Sequence, residues 1–224
     1  MRFDIITIFP SAYESFTKTS IIGKAIEAGK IEVHVHDVRD FTEDKHNKVD
    51  DVPYGGGAGM VMTCQPLFDC IEHVKSLKKD KAPVIYLTPQ GERLSQPKIE
   101  TFSESKEKRI IILTGHYEGI DQRVRDALVD QELSIGDYVL TNGDLPAMIL
   151  ADSISRLLPD VIGKAESHEE ESFSQKLDRK LEYPHYTRPQ VYKGLEVPET
   201  LLSGNHKAIE QWKKEHCKEP KKEL

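Results

Sequence analysis

Short hydrophobic runs and longer segments of helical spacing alternate along the first 160 residues of the chain. Two runs, residues 82–88 and Arg109–Thr114, are almost continuously apolar, which is typical of strands buried on both faces of a parallel sheet. Residues 3–9 form another short apolar run, and residues 31–38 alternate between apolar and polar side chains. Helical spacing predicts helices over about residues 11–29, from residue 66, over 120–129 and over 144–158. This alternation predicts an α/β domain with a largely parallel sheet.

Two of the predicted helices carry capping signals. Ser11 and Glu14 form an S-x-x-E capping box, and Gly29 suits the position just past a helix end. Asp144 is the expected N-cap of the last helix in this part of the chain, with Pro146 just inside it. These residues set the expected helix boundaries.

The pattern changes after residue 162. Residues 163–182 are polar and dense in charge, which predicts a mobile linker between two domains. Aromatic residues and prolines return after residue 183, and apolar side chains at Leu201, Leu202, Ile209 and Trp212 indicate a final helical segment. We therefore expect three parts: an α/β domain over 1–162, a linker over 163–182 and a small, mostly helical domain over 183–224.

The composition fits a soluble globular protein of 224 residues, with 38% hydrophobic and 31% charged residues. No apolar run approaches eighteen residues, and the first ten residues resemble a core strand more than a signal peptide. Cys64, Cys70 and Cys217 lack C-x-x-C spacing, so the sequence predicts neither a disulfide framework nor a zinc site. We expect a cytoplasmic protein with no membrane partner. The net charge of −7 argues mildly against nucleic-acid binding, although local basic patches could outweigh it.

Four glycines lie within residues 55–59 and require a reason, because glycine loses much backbone entropy on folding. A Walker A loop is excluded since no Lys-Ser or Lys-Thr pair follows Gly59, and a dinucleotide fingerprint is excluded because the preceding residues are polar and not strand-like. From the residues alone, contact with a ligand and a structural turn remain equal alternatives.

Further glycines and prolines lie where the predicted strands end, around residues 86–94, 113–121 and 134–147. Ligands of open α/β sheets bind outside the carboxyl ends of the strands. Three successive strand exits of this composition therefore predict a binding crevice at one edge of the sheet.

Six segments of the chain, taken in order, resemble signature segments of the bacterial tRNA (guanine-N1)-methyltransferases of the TrmD family, in the knotted SPOUT class. They are RDFTEDKHNKVDDVPYGGGAGMVM, YLTPQG, GHYEGID, SIGDYVLTNGDLPAM, PHYTRP and LLSGNH. The resemblance covers about residues 1–212. It implies a SPOUT-type parallel sheet with a C-terminal trefoil knot, which is a rare exception to unknotted topology.

The resemblance also implies a reaction and a set of partners. The expected enzyme transfers a methyl group from S-adenosylmethionine to N1 of the guanine at position 37 of tRNA, 3′ to the anticodon. The family is an obligate homodimer in which the partner's second domain completes each active site. Mg²⁺ is a candidate requirement for activity, with no metal-binding residues that the sequence identifies.

Carried over by motif, the resemblance assigns residues to two binding surfaces. The expected cofactor-binding residues are Tyr86, Leu87, Thr88, Pro89, Gly91, Gly115, Tyr117, Glu118, Ile135, Gly136, Asp137, Tyr138, Val139, Leu140, Asn142, Gly143 and Pro146. The expected substrate-binding residues are Tyr54, Gly55, Gly56, Gly57, Gly59, Met60, His185, Tyr186 and Arg188. A structural contact between subunits is an equal alternative for the last three.

Two catalytic residues follow from the same resemblance. Arg156 matches a cationic donor to guanine O6, and Glu171 matches the base, which is an aspartate in the family's E-D-S-F segment. Glu169 or Glu170 could serve as the base if the register shifts. Without the resemblance, Arg156 would be assigned to a surface ion pair and the three glutamates to a solvated face.

Other departures from the family bear on activity. Asn142 occupies a position where glycine is common, Asp144 replaces a usual glutamate, and the C-terminal end lacks an Arg-rich segment. These differences and Glu171 leave two alternatives: a catalytically impaired or binding-only homologue, and a related knotted RNA methyltransferase with another target.

Overall fold

The computed structural model describes residues 1–163 and 170–220. The predicted base alternative Glu169 lies outside the described residues. The chain divides into two compact units, of which the first ends at Ile162 and the second begins at Gly163. Each unit is described separately.

The first unit is built on five parallel strands, as the apolar runs predicted. The strands are β1 (Arg2–Thr7), β2 (Glu32–Asp37), β5 (Val84–Arg93), β6 (Arg109–Thr114) and β7 (Gln131–Ser134), in the order β2-β1-β6-β5-β7. A short antiparallel pair joins β3 (Asp50–Asp51) to β4 (Val61–Met62). Every residue of β6 is buried, which is why its sequence is apolar almost throughout.

Helices cover both faces of this sheet. They are α1 (Glu14–Lys18), α2 (Ser20–Glu27), α3 (Cys64–Ser76), α4 (Gln96–Glu104), α5 (Gln122–Leu128) and α6 (Asp144–Ser155). Ile110 and Ile112 of β6 pack into a core with α2, α4 and α6, whereas Ile111 and Leu113 pack into a second core with α3 and α5. Successive residues of β6 therefore contribute to two hydrophobic cores, one on each face of the sheet. The prediction of an α/β domain is confirmed.

The helix predicted over residues 11–29 is two helices. Residues Pro10–Tyr13 form a 3-10 turn in which Ser11 makes no capping bond, and the chain breaks at Ser20, whose φ is 56°. The predicted end is confirmed, because Gly29 has φ 66° and its N–H donates to Ile26 O while Lys30 N–H donates to Ala25 O. These two bonds are a Schellman cap.

The predicted N-cap of α6 is wrong. Gly143 occupies the N-cap position, and Asp144 is the first helical residue with its side chain turned into the interior. Its backbone N–H donates to Asn142 Oδ1 at 3.0 Å. The Asp144 carboxylate accepts hydrogen bonds inside the protein, as described with the candidate site.

A buried ion cluster lies near the amino ends of β1 and β6. Arg109 is 1% exposed and its Nε donates to Asp4 Oδ2 at 2.7 Å, while Arg2 and His36 contact the same carboxylate. Burial alone would raise the pKa of the Asp4 carboxyl, but hydrogen bonds from His36, Arg2 and Arg109 hold that pKa well below its usual range. The cluster satisfies charges that the sheet would otherwise bury unpaired.

The second unit contains a hairpin and two helices. The hairpin is β8 (Val191–Tyr192) with β9 (Leu195–Glu196), and the helices are α7 (Glu199–Leu202) and α8 (His206–His216). Residues 170–182, expected as part of a linker, pack within this unit, since Leu181 pairs with Lys218 and Ser174 is buried. Within the described ranges, no helix is long and apolar enough to cross a membrane.

Candidate functional site

A cavity of about 280 Å³ opens in the first unit, lined by residues 86–90 of β5 and by the loops that follow β6 and β7. This is the crevice that the strand exits predicted. The lining residues are Tyr86, Leu87, Thr88, Pro89, Gln90, Gly115, His116, Tyr117, Glu118, Gly119, Ile120, Arg125, Leu133, Ser134, Ile135, Gly136, Tyr138, Val139, Leu140, Thr141, Asn142, Gly143 and Pro146. All the expected cofactor-binding residues are among them except Gly91 and Asp137.

Close backbone contacts hold the cavity walls together. The Gly143 N–H donates to Gly115 O at 2.8 Å, and a Cβ added at Gly143 would lie 2.9 Å from Gly115 N. At Gly91, just outside the lining, a Cβ would lie 2.4 Å from the backbone nitrogen of Leu133. Glycine is required at both places because any side chain would push two loops apart.

An aromatic ring and an ion pair form the deeper side of the cavity. Tyr86 is 4% exposed, and the guanidinium carbon of Arg125 lies 5.6 Å from the centre of its ring. Arg125 is held by Glu132 through two bonds of 2.7 Å. Burial raises the pKa of the Tyr86 hydroxyl, so the ring stays neutral. Sequence reasoning missed Arg125, whose only signal is its place on the helix that follows the GHYEGID segment.

Asp144 is the centre of a buried polar cluster behind the cavity wall. One of its carboxylate oxygens accepts from Thr7 Oγ1 at 2.7 Å and from Tyr13 OH at 2.9 Å. His116 Nε2 lies 3.2 Å from the other oxygen. Burial alone would raise the pKa of the Asp144 carboxyl, but His116, Thr7 and Tyr13 outweigh it and lower that pKa. The cluster ties the end of β1 to the loop that carries His116.

The glycine segment lies beside the cavity, against the loop that follows β6. Four of its glycines, Gly55, Gly56, Gly57 and Gly59, have positive φ. A Cβ at Gly59 would lie 2.5 Å from the carboxylate of Glu118. The Glu118 N–H donates to Met60 O at 3.0 Å, and the Met62 N–H donates to Gly119 O at 3.0 Å. Tyr54, at the tip, is fully exposed. Residues 59–62 are therefore fixed against the loop beside the cavity, whereas Gly55, Gly56 and Gly57 have open space around them.

The remaining predicted residues of the first unit lie at its edges. Arg156 ends α6, where it is partly buried and its N–H donates to Asp152 O. Asp137 is exposed outside the lining, with a carboxylate oxygen 3.9 Å from Arg93. The structure thus brings most of the predicted cofactor residues together around the cavity. The predicted catalytic residue Arg156 and the predicted cofactor residue Asp137 are not part of its lining.

The other predicted residues belong to the second unit. His185 Nε2 contacts Glu182 at 3.0 Å, the Tyr186 ring lies 6.3 Å edge-on from Trp212, and Arg188 is exposed. Glu171 is partly buried, and its backbone carbonyl accepts the Ser174 N–H at 3.0 Å. Within the described residues, no group of three His, Cys, Asp or Glu side chains is arranged to hold a metal ion.

Comparison with known proteins gives a consistent result. A family model described as tRNA (Guanine-1)-methyltransferase TrmD matches residues 1–223. The chain is 54% identical to a tRNA (guanine-N(1)-)-methyltransferase of Clostridioides difficile, over 96% of the chain and 91% of that protein. It is 52% identical to the Bacillus subtilis protein of the same name, over 95% and 86%. The crystal structure of a tRNA (m1G37) methyltransferase from Aquifex aeolicus superposes with a TM-score of 0.78 and 38% identity, covering 96% of this chain and 88% of that one.

Proposed function

Because the chain belongs to the tRNA (guanine-1)-methyltransferase TrmD family, we infer that it is an enzyme that methylates N1 of a guanine in tRNA. The single observation that carries this function is the family match over residues 1–223, and two relatives share half or more of its residues. The parallel α/β fold and the cavity at the strand ends agree with it. The methyl donor of such an enzyme is S-adenosylmethionine.

The cavity fits this donor by its shape and its chemistry. When bound, S-adenosylmethionine supplies a methyl group on a positively charged sulfur. The bond from the Gly143 N–H to Gly115 O fixes two walls of the cavity against each other, and Tyr86, Leu133 and Pro146 supply apolar surface for the donor. Glu118 adds a negative charge to the lining. These residues bind and orient the donor.

We propose that the target is the guanine at position 37, just 3′ to the anticodon. The Aquifex aeolicus structure is described as an m1G37 enzyme, and the present chain matches it over most of both chains. The glycine segment with Tyr54 lies beside the cavity, where an exposed ring could stack on a base that leaves the anticodon loop.

For the chemical step, we propose Glu171 as the general base and Arg156 as the cationic donor. Guanine N1 carries a proton at neutral pH, so a carboxylate must remove it before N1 attacks the methyl group. Negative charge then develops on guanine O6, which a guanidinium stabilises. A glutamate is about as basic as the aspartate it replaces, with reference pKa values of about 4.3 and 3.9. Both assignments derive from the motif match of this chain.

We further propose a homodimer whose active sites combine two subunits. Four apolar residues on one helix and one loop are unusually exposed: Leu145, Ile149, Tyr138 and Val139, at 57%, 45%, 55% and 82%. A surface of this kind is typical of an interface between protein chains. Mixing two inactive variants tests the arrangement, because Glu171→Gln and Arg156→Ala subunits restore one active site only if the two residues come from different subunits. No recovery in a mixed dimer would place both residues in the same chain.

Three further proposals rest on the family alone. The first is the trefoil knot, which the family match implies. A cytoplasmic location follows from where tRNA is modified. A Mg²⁺ requirement, if tested by chelation, would concern an ion held with the substrates, since the described residues form no metal cluster.

The deciding experiment uses labelled S-adenosylmethionine and two unmodified tRNA transcripts that differ only in guanine or adenine at position 37. Label on the guanine transcript alone is the expected result, and Glu171→Gln should abolish it while keeping donor affinity. Label on neither transcript, with the donor still bound, would contradict the proposed function and identify a binding-only homologue. Label on both would contradict the assigned position.

A further inference from the structure

The carboxylate of Glu170, one residue before the proposed base, is held from three separate points of the second unit. Its Oε1 accepts from Lys176 Nζ at 3.0 Å. Its Oε2 accepts from Tyr183 OH at 3.2 Å and from Lys213 Nζ of α8 at 3.4 Å. The Lys213 ammonium also lies 4.6 Å from the centre of the Tyr183 ring. Both oxygens of this side chain are therefore occupied by protein donors.

The segment that carries the proposed base also closes on itself. The Phe173 N–H donates to Lys180 O at 2.8 Å, and the Glu182 N–H donates to Ser172 Oγ at 3.1 Å. Together with the bond from Tyr183 to Glu170, these contacts join the two ends of residues 170–183. Glu171 lies between Glu170 and Ser172, so its backbone is fixed from both sides.

We propose that Glu170 is a positioning residue, which couples α8 through Lys213 to the backbone that presents Glu171 to the substrate. This inference rests on the proposed function, since it assumes that Glu171 is the base. It assigns different roles to two adjacent glutamates that the sequence could not tell apart. It also makes α8, far along the chain from the base, part of the machinery that sets the reaction rate.

The charge state of Glu170 supports this division of roles. The Lys176 ammonium lowers the pKa of the Glu170 carboxyl, and Lys213 acts in the same direction. A carboxylate that is held ionised by cations is a poor proton acceptor, so Glu170 is unsuited to be the base. Its side chain is 40% exposed and that of Lys213 is 34% exposed, so the ion pair adds little to folding stability. The effect of removing it should appear in the rate and not in the melting temperature.

The test compares four variants of the full-length protein: Glu170→Gln, Lys213→Met, the double variant and Lys213→Arg. Lys214→Met is the matched control, because Lys214 neighbours Lys213 on α8 and pairs with the exposed Glu210. The measurements are the single-turnover rate of methyl transfer at saturating tRNA and donor, the affinities for both, and the melting temperature.

Glu170→Gln and Lys213→Met should each lower the single-turnover rate by about tenfold. A displacement of the Glu171 carboxylate by roughly an ångström can cost about a hundredfold, and loss of one link is expected to cause part of that loss. The double variant should be no slower than the slower single variant, since both changes break one link. Lys213→Arg and Lys214→Met should keep the wild-type rate, and melting temperatures and donor affinity should not change. If Glu170→Gln does not fold, the proposal is tested with the Lys213 variants alone.

Three results would overturn the inference. Unchanged rates in Glu170→Gln and Lys213→Met would show that the link does not position the base. A loss confined to tRNA affinity would assign Lys213 to phosphate contact instead. Full activity of Glu171→Gln would remove the base on which the inference depends. A wild-type protein that labels no tRNA would instead refute the proposed function itself, so the two failures are distinguishable.

Discussion

Replacing Asp144 by alanine should destabilise the first unit more than any other single polar substitution at the cavity. The carboxylate is 4% exposed and accepts hydrogen bonds from Thr7 and Tyr13, whose side chains are also buried. Alanine would leave both hydroxyl groups without an acceptor in a place that water reaches poorly. His116 would lose its neighbouring charge as well.

The magnitude follows from the number of bonds. Hydrogen bonds to a charged group contribute about 1.5–3 kcal/mol each, so losing two costs about 3–6 kcal/mol. Asp144→Asn should cost only about 1–2 kcal/mol, because both hydroxyl groups donate to the same oxygen, which asparagine retains. A domain with a total stability of about 5–15 kcal/mol would survive the asparagine variant and be strongly weakened by the alanine variant.

Urea unfolding followed by far-ultraviolet circular dichroism measures this difference. With a slope of about 2–3 kcal/mol per molar urea, Asp144→Ala should lower the midpoint by roughly 1–3 M. Asp152→Ala is the matched control, because Asp152 is exposed on the same helix. The only tryptophan, Trp212, belongs to the second unit, so its fluorescence follows that unit separately.

The pH dependence gives a second check. The folded pKa of Asp144 lies below its usual value, so its contribution is complete at neutral pH and is lost as the pH falls through the folded pKa. The stability gap between wild type and Asp144→Asn should therefore close in acid. Two results would refute the reasoning. One is a urea midpoint of Asp144→Ala equal to that of Asp152→Ala, and the other is a stability difference between wild type and Asp144→Asn that persists at low pH.

Three further substitutions have defined outcomes. Gly143→Ala should weaken donor binding in calorimetry, because its Cβ would lie 2.9 Å from Gly115 N and overpacking of this kind costs about 1–3 kcal/mol. Asp4→Asn should lower the urea midpoint by the equivalent of about 3–5 kcal/mol, since the buried Arg109 loses its buried carboxylate partner and keeps the half-exposed Asp80. Gly29→Ala should cost only about 1–2 kcal/mol, because its φ of 66° strains an alanine although nothing lies within 4 Å.

Two of these substitutions have a control variant, and the third has a defined contrary outcome. Gly163→Ala adds a Cβ in open space and should leave donor binding unchanged, so an equal loss in both variants would contradict the steric argument. Gly29→Asn should cost less than Gly29→Ala, because asparagine tolerates left-handed geometry better. Full stability of Asp4→Asn would mean that Arg109 finds other partners.

The parallel sheet and the cavity could be predicted because their signals are local. Arg109–Thr114 is apolar over nearly its whole length since both faces of β6 are buried, and the glycines and prolines at the strand ends mark the loops that line the cavity. Gly29 was predictable for the same reason, because a cap depends on the adjacent turn alone. The roles of Glu171 and Arg156 came from resemblance to a family and stay predictions.

The missed features depend on residues that are distant in sequence. Asp144 has the sequence signature of a helix cap, but Thr7 lies 137 positions away, and only the folded chain shows that the carboxylate turns inward to meet it. Arg125 reaches the cavity because Glu132 holds it from a neighbouring strand. The first helix divides where Thr19 is extended and Ser20 has φ 56°, and beyond this break Gly23 packs against the backbone of Lys18, where a Cβ would lie only 2.7 Å away.

In the proposed function, the main-chain bonds between the glycine segment and the loop after β6 link the tRNA site to the donor site. Glu118 and Gly119 are bonded to Met60 and Met62, so a ligand that restrains one strip of chain also restrains the other. The second ligand then loses less conformational entropy when it binds. Thermodynamic reciprocity requires that donor and tRNA raise each other's affinity by the same factor. We therefore expect the enzyme to bind its two substrates cooperatively.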